Sequence, residues 1–282
     1  MKYAIYIPNF GSYYNPIDIA NIAFEAERSG WDGFFIWDHL IFSESVDIPF
    51  LDPWIALTAI AMKTDKIKIG TLITPIPRRR PWKLARECVS LDHLSNGRLI
   101  LGVGLGAPKY DFTCFGETFD PFIRAKKLDE GLVILKGLWS GENFTYKGEY
   151  YQIKNAKFLP TPVNGTIPIW VAGMWPNKNP FLRSAKYEGV FPININYTQQ
   201  LTSNDVEDIL NFMSKHYKIS SNFDVIISGD TPGNSSEAIE IIKPYKKAGV
   251  TWWCENINLL RFKNSLDDMI ERVRQGPPNE LY

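Results

Sequence analysis

The segment IKIGTLITPIPRRRPWKLARECVSLDHLSNGRLILGVGLG, residues 67–106, holds two short apolar runs with a helix-like stretch between them. The runs, 67–74 and 99–106, are almost continuous in apolar residues and glycine, which is typical of strands that are covered on both faces. The stretch 81–97 begins with proline and ends with glycine, as helices often do. The segment therefore predicts two parallel strands joined by a helix.

Runs of the same kind recur along the chain, with helix-like stretches between several of them. They number eight in all, and the other six cover residues 3–9, 33–39, 167–173, 189–194, 224–230 and 251–257. We therefore predict an α/β fold, a closed (β/α)8 TIM barrel forming a single domain over residues 1–282, with an open doubly wound sheet as the main alternative. The connection of about 107–166 is too long for a plain loop. We expect an insertion after strand four that contains a helix and a hairpin turning at Lys147 and Gly148.

The composition narrows the classes of function. Lysine plus arginine and aspartate plus glutamate both number 31, so the charge gives no indication of a nucleic acid or a membrane surface, and a small molecule is the favoured ligand. The cysteines Cys88, Cys114 and Cys254 are too widely spaced for a disulfide framework or a zinc site, and histidine is too scarce for a metal centre. The chain shows no signal-peptide pattern and no apolar run of about 20 residues, so we expect a cytoplasmic protein.

In such a barrel, the carboxyl ends of the strands and the loops that follow them form the active site. This rule gathers Asn9, Phe10, Asp38, His39, Thr71–Thr74, Gly104, Gly106, Ala172, Gly173, Asn194, Asn196, Asp230, Glu255 and Asn256. His39 is a candidate general base, because histidine titrates nearest to working pH; alternatively, Asp38 and His39 only cap strand two and bond each other or the next loop. A further alternative is a glycosidase in which Asp38 and Glu255 form a carboxylate pair.

Two further patterns concern binding. Gly102, Gly104 and Gly106 do not complete a dinucleotide fingerprint, but glycines in a strand often mark a close backbone approach to a ligand or a neighbour. The segment WVAGMWPNKNP, 170–180, places small residues at a strand end before a helix start that could hold a phosphate, or it is an ordinary loop. The three arginines at 78–80 are either a solvated loop or a site for an anionic substrate or cofactor tail.

Several phrases, in this order, resemble the bacterial luciferase-like flavin-dependent monooxygenase family. They are YAIYIPNFG, WDHL, GTLITPIPRRRPWKLARE, DHLSNGRLILGVGLGAPKYDFTCFGE and FLPTPVNGTIPIWVAG, spread over roughly residues 1 to 195. The resemblance implies a (β/α)8 barrel that binds reduced FMN or, in another branch, a 5-deazaflavin coenzyme at the strand ends. It implies an active-site role for His39, with Asp38 beside it, and a non-proline cis peptide at Leu72–Ile73. The resemblance and the glycine pattern of strand four together give as cofactor-binding residues Thr71, Leu72, Ile73, Gly104, Gly106, Ala172, Gly173, Met174, Trp175 and Asn177. The resemblance places the phosphate near 172–177.

Two departures limit what the resemblance implies. The glutamate that deazaflavin-dependent sugar-phosphate dehydrogenases carry after strand four is absent from GLGAPKYD, and Leu105 stands where luciferase has an arginine. We therefore expect a monooxygenase that uses reduced FMN and oxygen on a small organic substrate. A deazaflavin-dependent dehydrogenase or reductase and a non-catalytic flavin-binding protein are the alternatives. A separate flavin reductase and a homodimer are further expectations from the resemblance.

Overall fold

A computed structural model of the protein describes residues 1–11, 15–45, 47–197, 199–233, 235–258, 261–263 and 265–278. In this part of the chain eight parallel strands close into a barrel, in which the first strand pairs with the last. In chain order the barrel strands are β1 Lys2–Ile7, β2 Gly33–Ile36, β3 Lys68–Pro75, β4 Leu99–Gly104, β7 Ile169–Trp175, β8 Gly189–Asn194, β9 Asp224–Gly229 and β10 Trp252–Asn256. The predicted TIM barrel is confirmed, and the open sheet is wrong because the sheet has no edge.

Helices alternate with these strands. They are α1 Pro16–Arg28, α2 Pro53–Lys63, α3 Pro81–Leu94, α4 Tyr110–Thr113, α5 Pro121–Trp139, α6 Asn179–Ser184, α7 Ser203–Ser214, α8 Ser236–Lys247 and α9 Leu266–Arg274, with a 3-10 turn at Ile76–Arg78. The four helices α1, α2, α3 and α5 begin with proline, whose missing N–H costs nothing in a first turn. Asn15, Asp52 and Asp120 accept backbone N–H groups at the starts of α1, α2 and α5.

The segment between β4 and β7 contains the expected helix and hairpin. The hairpin consists of β5 Phe144–Lys147 and β6 Gln152–Ala156, so β5 ends at the predicted turn. Helix α5 packs against α3 and takes the place of a barrel helix, and Glu130 on α5 accepts the backbone N–H groups of Glu149 and Tyr151 at 2.7 and 3.0 Å. These contacts fix the hairpin on the outside of the barrel and leave α4 at the carboxyl end of β4.

The barrel interior is filled with side chains, one or two from each strand. The fully enclosed members are Ala4, Phe35, Leu72, Ile100, Trp170, Phe191, Ile226, Trp252 and Cys254. A second apolar layer lies between the strands and the surrounding helices. Because the interior is solid, a ligand can reach the barrel only at an end. Within the described residues, no helix combines the length and the apolar character that a membrane crossing needs.

Candidate active site

The chain that leaves β2 is held in place by Asn9, at the end of β1. The Asn9 side chain donates to the carbonyl oxygens of His39 and Leu51 at 2.8 and 2.7 Å, and it accepts the N–H of His39 at 3.1 Å. Asn9 is fully buried. His39 therefore stands on a backbone that is fixed from both sides, at the carboxyl end of the barrel.

The imidazole of His39 is paired with Asp111, at the start of α4. Nδ1 of His39 lies 3.2 Å from Oδ2 of Asp111, whose other oxygen accepts the N–H groups of Leu40 and Ile41 at 3.0 and 3.1 Å. A carboxylate can only accept, so the imidazole proton belongs on Nδ1. In the part of the chain that the structure describes, Nε2 has no partner, and its lone pair is free to take a proton.

Asp38 is buried, and its hydrogen-bond partners are side chains other than this imidazole. Its carboxylate accepts from Arg78 and Arg79, each at 2.8 Å, and from the hydroxyl of Thr74 at 2.9 Å. Arg78 also donates to Asp111, so it bridges the two acids. Although burial lowers the pKa of Arg79, the charge of Asp38 and its hydrogen bond raise that pKa above its ordinary value. Asp38 thus bonds arginines and not His39, and it reaches the imidazole only through Arg78 and Asp111.

The three arginines after β3 match the expected solvated loop only at Arg80. Arg78 and Arg79 neutralise buried acids, with side chains 5% and 17% exposed, while Arg80 is exposed. Neither of the first two is a spare cation for an anionic cofactor tail. Asp38, Asp111 and these two arginines form a neutral cluster beneath His39.

The predicted flavin-facing part of β3 contains a cis peptide at Leu72–Ile73, as the resemblance implied. The hydroxyls of Thr71 and Thr74 lie 2.7 Å apart, and Thr74 continues to Asp38. Leu72 is enclosed in the barrel, whereas Ile73 is half-buried at its upper end. The structure therefore brings Ile73 to the mouth and links Thr71 to the Asp38 cluster.

The predicted glycines pack against other parts of the protein. A Cβ added at Gly104 would lie 2.5 Å from the Ile73 side chain, and one at Gly106 would lie 2.6 Å from Pro75. Gly106 also has a φ of 86°, which disfavours other residues. A Cβ at Gly173 would meet Pro180 at 2.7 Å. The space that a side chain would need is filled by the protein itself, and their role in holding a cofactor stays a prediction.

The other predicted residues lie at the end of β7 and in the loop after it. Ala172, Met174 and Trp175 are half-buried, and Asn177 is exposed. The hydroxyl of Tyr197, from the loop after β8, donates to the sulfur of Met174 at 3.4 Å. These residues therefore lie at the mouth, on the side of β7 and β8.

Arg124, in the first turns of α5, was missed by the sequence reasoning. Its Nη1 donates to the carbonyl oxygens of Leu105 and Gly106 at 3.1 and 2.8 Å, and Phe119 packs 3.7 Å from its guanidinium. The side chain is buried, yet Nε has no partner and no carboxylate of the described residues forms an ion pair with it. Burial lowers the pKa of Arg124, and the charges of Tyr197 and Asp120 partly offset this effect. A buried cation at the end of β4 that forms no ion pair within the described residues is suited to binding an oxyanion.

Asp111 and Arg124 were not selected by the sequence reasoning, although each had a signal in the sequence. Asp111 opens the phrase DFTCFG that carries the resemblance, and Arg124 follows Pro121, which marks the start of the helix after strand four. Residues that begin a helix after a barrel strand lie near the mouth.

The carboxylate pair of the glycosidase alternative does not form a free acid and base. Glu255 is fully buried and accepts from Arg261 at 2.7 Å and from the hydroxyl and N–H of Thr231 at 2.8 and 2.9 Å; Arg272 lies 3.4 Å away. Asp38 is held by two arginines in the same way. Both carboxylates have their oxygens engaged by the protein, which disfavours a glycosidase.

Comparison with known proteins fits this geometry. The family described as luciferase-like monooxygenase matches residues 1–230. The chain belongs to this family. An F420-dependent glucose-6-phosphate dehydrogenase of Amycolatopsis mediterranei is 31% identical over 58% of the chain and 49% of that protein. The oxygenase component of a flavin-dependent trigonelline monooxygenase of Acinetobacter baylyi is 29% identical over 55% of the chain and 42% of that protein.

The chain of this luciferase-like protein spans about half the length of the curated relatives it matches. Among solved structures, an F420-dependent secondary alcohol dehydrogenase superposes with a TM-score of 0.79 over 97% of both chains, at 17% identity. That similarity shows the shared barrel. The relatives include both an F420-dependent dehydrogenase and a component of a flavin-dependent monooxygenase, so family membership leaves the activity and the cofactor to be assigned.

Proposed function

We propose that the protein is a flavin-dependent monooxygenase that uses reduced FMN and oxygen on a small organic substrate. The observation that carries the proposal is Arg124, a buried guanidinium at the carboxyl end of β4 whose Nε has no partner and which forms no ion pair among the described residues. An isolated buried charge is costly, and such a residue is retained where a ligand supplies the counter-charge. The phosphate of FMN is a ligand of this kind.

The residues at the mouth fit the cofactor in two places. Arg124 and the loop 172–177 would hold the phosphate. Nε and Nη2 of Arg124 would be the donors, since Nε has no partner among the described residues and both bonds to Leu105 and Gly106 come from Nη1. The flavin ring would lie against the ends of β3 and β4, at Thr71–Ile73 and Gly104–Gly106. When bound, the flavin supplies the redox chemistry, while the protein binds it, orients the substrate and excludes water.

The protein's own contribution to proton transfer would come from His39. Asp111 fixes the proton on Nδ1, so Nε2 presents a lone pair that can take a proton from the substrate and return it. Asp38 would act as a positioning residue, because Arg78 connects it to Asp111. The neutral cluster beneath His39 holds the ring in one orientation, which is what general acid–base catalysis requires of its partner groups.

A deazaflavin-dependent dehydrogenase is the second candidate. It is favoured by the relative at 31% identity, which is named as F420-dependent. The relative that is named as an oxygenase component implies, for this chain, a separate flavin reductase as partner. A homodimer remains part of the proposal.

Titration with oxidised FMN, reduced FMN and the deazaflavin tests the proposal. We expect reduced FMN to bind tightest, and oxygen-dependent reoxidation in the presence of substrate to exceed that of free reduced FMN. Preferential binding of the deazaflavin would move the assignment to the second candidate. Binding without accelerated turnover would identify a flavin-binding protein, and no binding of any of the three would refute the proposal.

A further inference from the structure

A continuous set of aromatic rings surrounds His39 on the β1 and β2 side of the mouth. Phe10 lies at its centre, with ring centroids 4.9 Å from Phe50, 5.7 Å from Phe42 and 5.7 Å from Trp37. His39 packs edge-on against Trp37 and Phe42, both at 5.7 Å. We call Phe10, Trp37, His39, Phe42 and Phe50 the aromatic cluster.

The aromatic cluster is only partly covered. Phe42 is 38% exposed and the neighbouring Leu40 is 44% exposed, while the other rings are half-buried. Tyr6 connects Trp37, at 5.5 Å, to Phe191 inside the barrel at 5.8 Å. The cluster is therefore the upper, accessible end of an aromatic path that begins in the packed interior.

The charges around the aromatic cluster disfavour an anionic ligand. The charged side chains beneath His39 pair with one another, as described above. The loop that carries Phe42 and Phe50 adds the exposed acids Glu44 and Asp47, and residues 29–62 contain no lysine or arginine. A carboxylate beside the aromatic cluster would meet the negative charge of Glu44 and Asp47, and residues 29–62 offer it no lysine or arginine.

Two polar atoms within the aromatic cluster lack a partner among the described residues. They are Nε1 of Trp37, which is shielded from solvent, and Nε2 of His39. An N–H donor that finds no acceptor inside a protein costs stability. An acceptor atom on a ligand that enters between the rings would relieve that cost.

We propose that the aromatic cluster is the substrate subsite and that it takes a neutral, planar aromatic molecule carrying a hydrogen-bond acceptor. The substrate ring packs against Phe10 and Phe42, the acceptor receives the indole N–H of Trp37, and the substrate lies beside Nε2 of His39. This inference rests on the proposed function for its chemistry, since it names the substrate class of the same site.

Calorimetric titration with small probes tests the subsite apart from turnover. Acetophenone should bind about threefold to tenfold more tightly than cyclohexyl methyl ketone, which has the acceptor without the aromatic ring. It should bind more tightly than benzoate, which has the ring with a negative charge, by a similar factor. Phe42→Leu keeps apolar bulk and should abolish the preference for acetophenone over the saturated ketone.

Trp37→Phe tests the acceptor separately, because it keeps a ring and removes the N–H. The preference of the wild-type protein for acetophenone over ethylbenzene should fall several-fold in this variant. Trp82→Phe is the matched control, since Trp82 is a 37% exposed indole in edge contact with Tyr151 on the outer side of the barrel. It should leave all these ratios unchanged.

The proposed substrate class would be overturned if acetophenone bound with the same affinity as cyclohexyl methyl ketone, or with the same affinity as benzoate. So would undetectable acetophenone binding, or identical effects of Phe42→Leu and Trp82→Phe. Titrating FMN into the same preparations separates the two proposals. A protein that binds flavin but shows no aromatic preference refutes only the substrate class, whereas one that binds the aromatic probes and no flavin or deazaflavin refutes only the proposed function.

Discussion

Two arginines lie near opposite ends of β4, and they differ in how many hydrogen bonds their guanidinium groups make to the protein. Arg98, just before the strand, donates to the carbonyl oxygens of Ser95, Ala61, Ile67 and Thr64 and to the hydroxyl of Thr64, at 2.7 to 3.0 Å. Arg124, near the far end, donates through Nη1, and its Nε has no partner among the described residues. Their exposures are almost equal, at 7% and 6%.

The difference teaches what each end of the barrel does. At the amino-terminal end the buried charge is satisfied by the protein, so that end ties the helix–strand connections together. At the carboxyl end, Nε of the buried Arg124 has no hydrogen-bond partner among the described residues. Such an arrangement is typical of binding sites, where function can require groups that lower stability. We expect substitutions at the first end to change stability and those at the second to change binding or turnover.

The largest expected effect belongs to His39. His39→Ala should lower turnover by roughly 10²- to 10⁴-fold, because it removes the proton acceptor, and should leave flavin affinity within a few-fold. Turnover and melting temperature are measured on one preparation. His93→Ala is the control, since His93 bonds the carbonyl oxygen of Thr161 on the outer side. A destabilised but fully active His39 variant would remove His39 from the site.

Arg98→Met should have the largest effect on stability. It leaves four carbonyl oxygens and a hydroxyl without their donor, and we expect the free energy of unfolding to fall by about 3 kcal/mol or more. Urea denaturation measures the change. The exposed Arg28, changed to methionine, should alter stability by no more than about 0.5 kcal/mol. Reduced turnover per folded molecule in Arg98→Met would contradict the division between the two ends.

Arg124→Met tests the other end directly. Losing a charge-assisted pair of hydrogen bonds to a phosphate should weaken FMN binding by about 10- to 100-fold and leave riboflavin, which lacks the phosphate, unaffected. Stability without ligand should fall less than in Arg98→Met, because only the two carbonyl oxygens that Arg124 bonds lose their donor. Arg86→Met is the control: Arg86 packs 4.1 Å from Phe158 and donates to the carbonyl of Leu159 at 2.6 Å, away from the mouth. Equal loss of FMN and riboflavin affinity would contradict the phosphate assignment.

The sequence predicted the barrel because each strand is a local apolar run, and it predicted the place of His39 because the run 33–39 ends there. It could not predict the partner of His39. Asp111 is 72 positions away, and its contact depends on how the segment after β4 folds back over β2. Asp38 was placed correctly at the end of the strand, but its contacts with Arg78 and Arg79 are again between different loops. The local pattern of apolar residues predicts where each strand ends. The pairing of side chains from different loops at the mouth of the barrel can be known only from the three-dimensional fold.

The smallest expected effect concerns Glu27, which belongs to the amino-terminal end. Its carboxylate accepts the N–H groups of Lys66 and Ile67 at 2.6 and 2.8 Å. Partial burial raises its pKa, but these bonds, a third from Asp65 and the charge of Arg98 bring that pKa below the ordinary value of 4.5. A group whose folded pKa is depressed stabilises the protein above its unfolded pKa and loses that contribution as the pH falls through the folded value.

Glu27→Gln should therefore lower the free energy of unfolding at pH 7 by on the order of 1 kcal/mol, a value kept small because solvent reaches the site and screens the charge. The gap between wild type and variant should narrow as the pH falls below about 4.5, since protonated glutamate and glutamine are then alike in charge. Urea denaturation of both proteins across this range measures the gap, and turnover at pH 7 should be unchanged. A gap that stays constant down to about pH 3, below the unfolded pKa of glutamate, would show that the shape of the side chain, and not its charge, holds the connection between α2 and β3. Glu27 and Arg98 are the two charged groups that bond the connection between α2 and β3. In that case only Arg98 would stabilise the amino-terminal end through its charge.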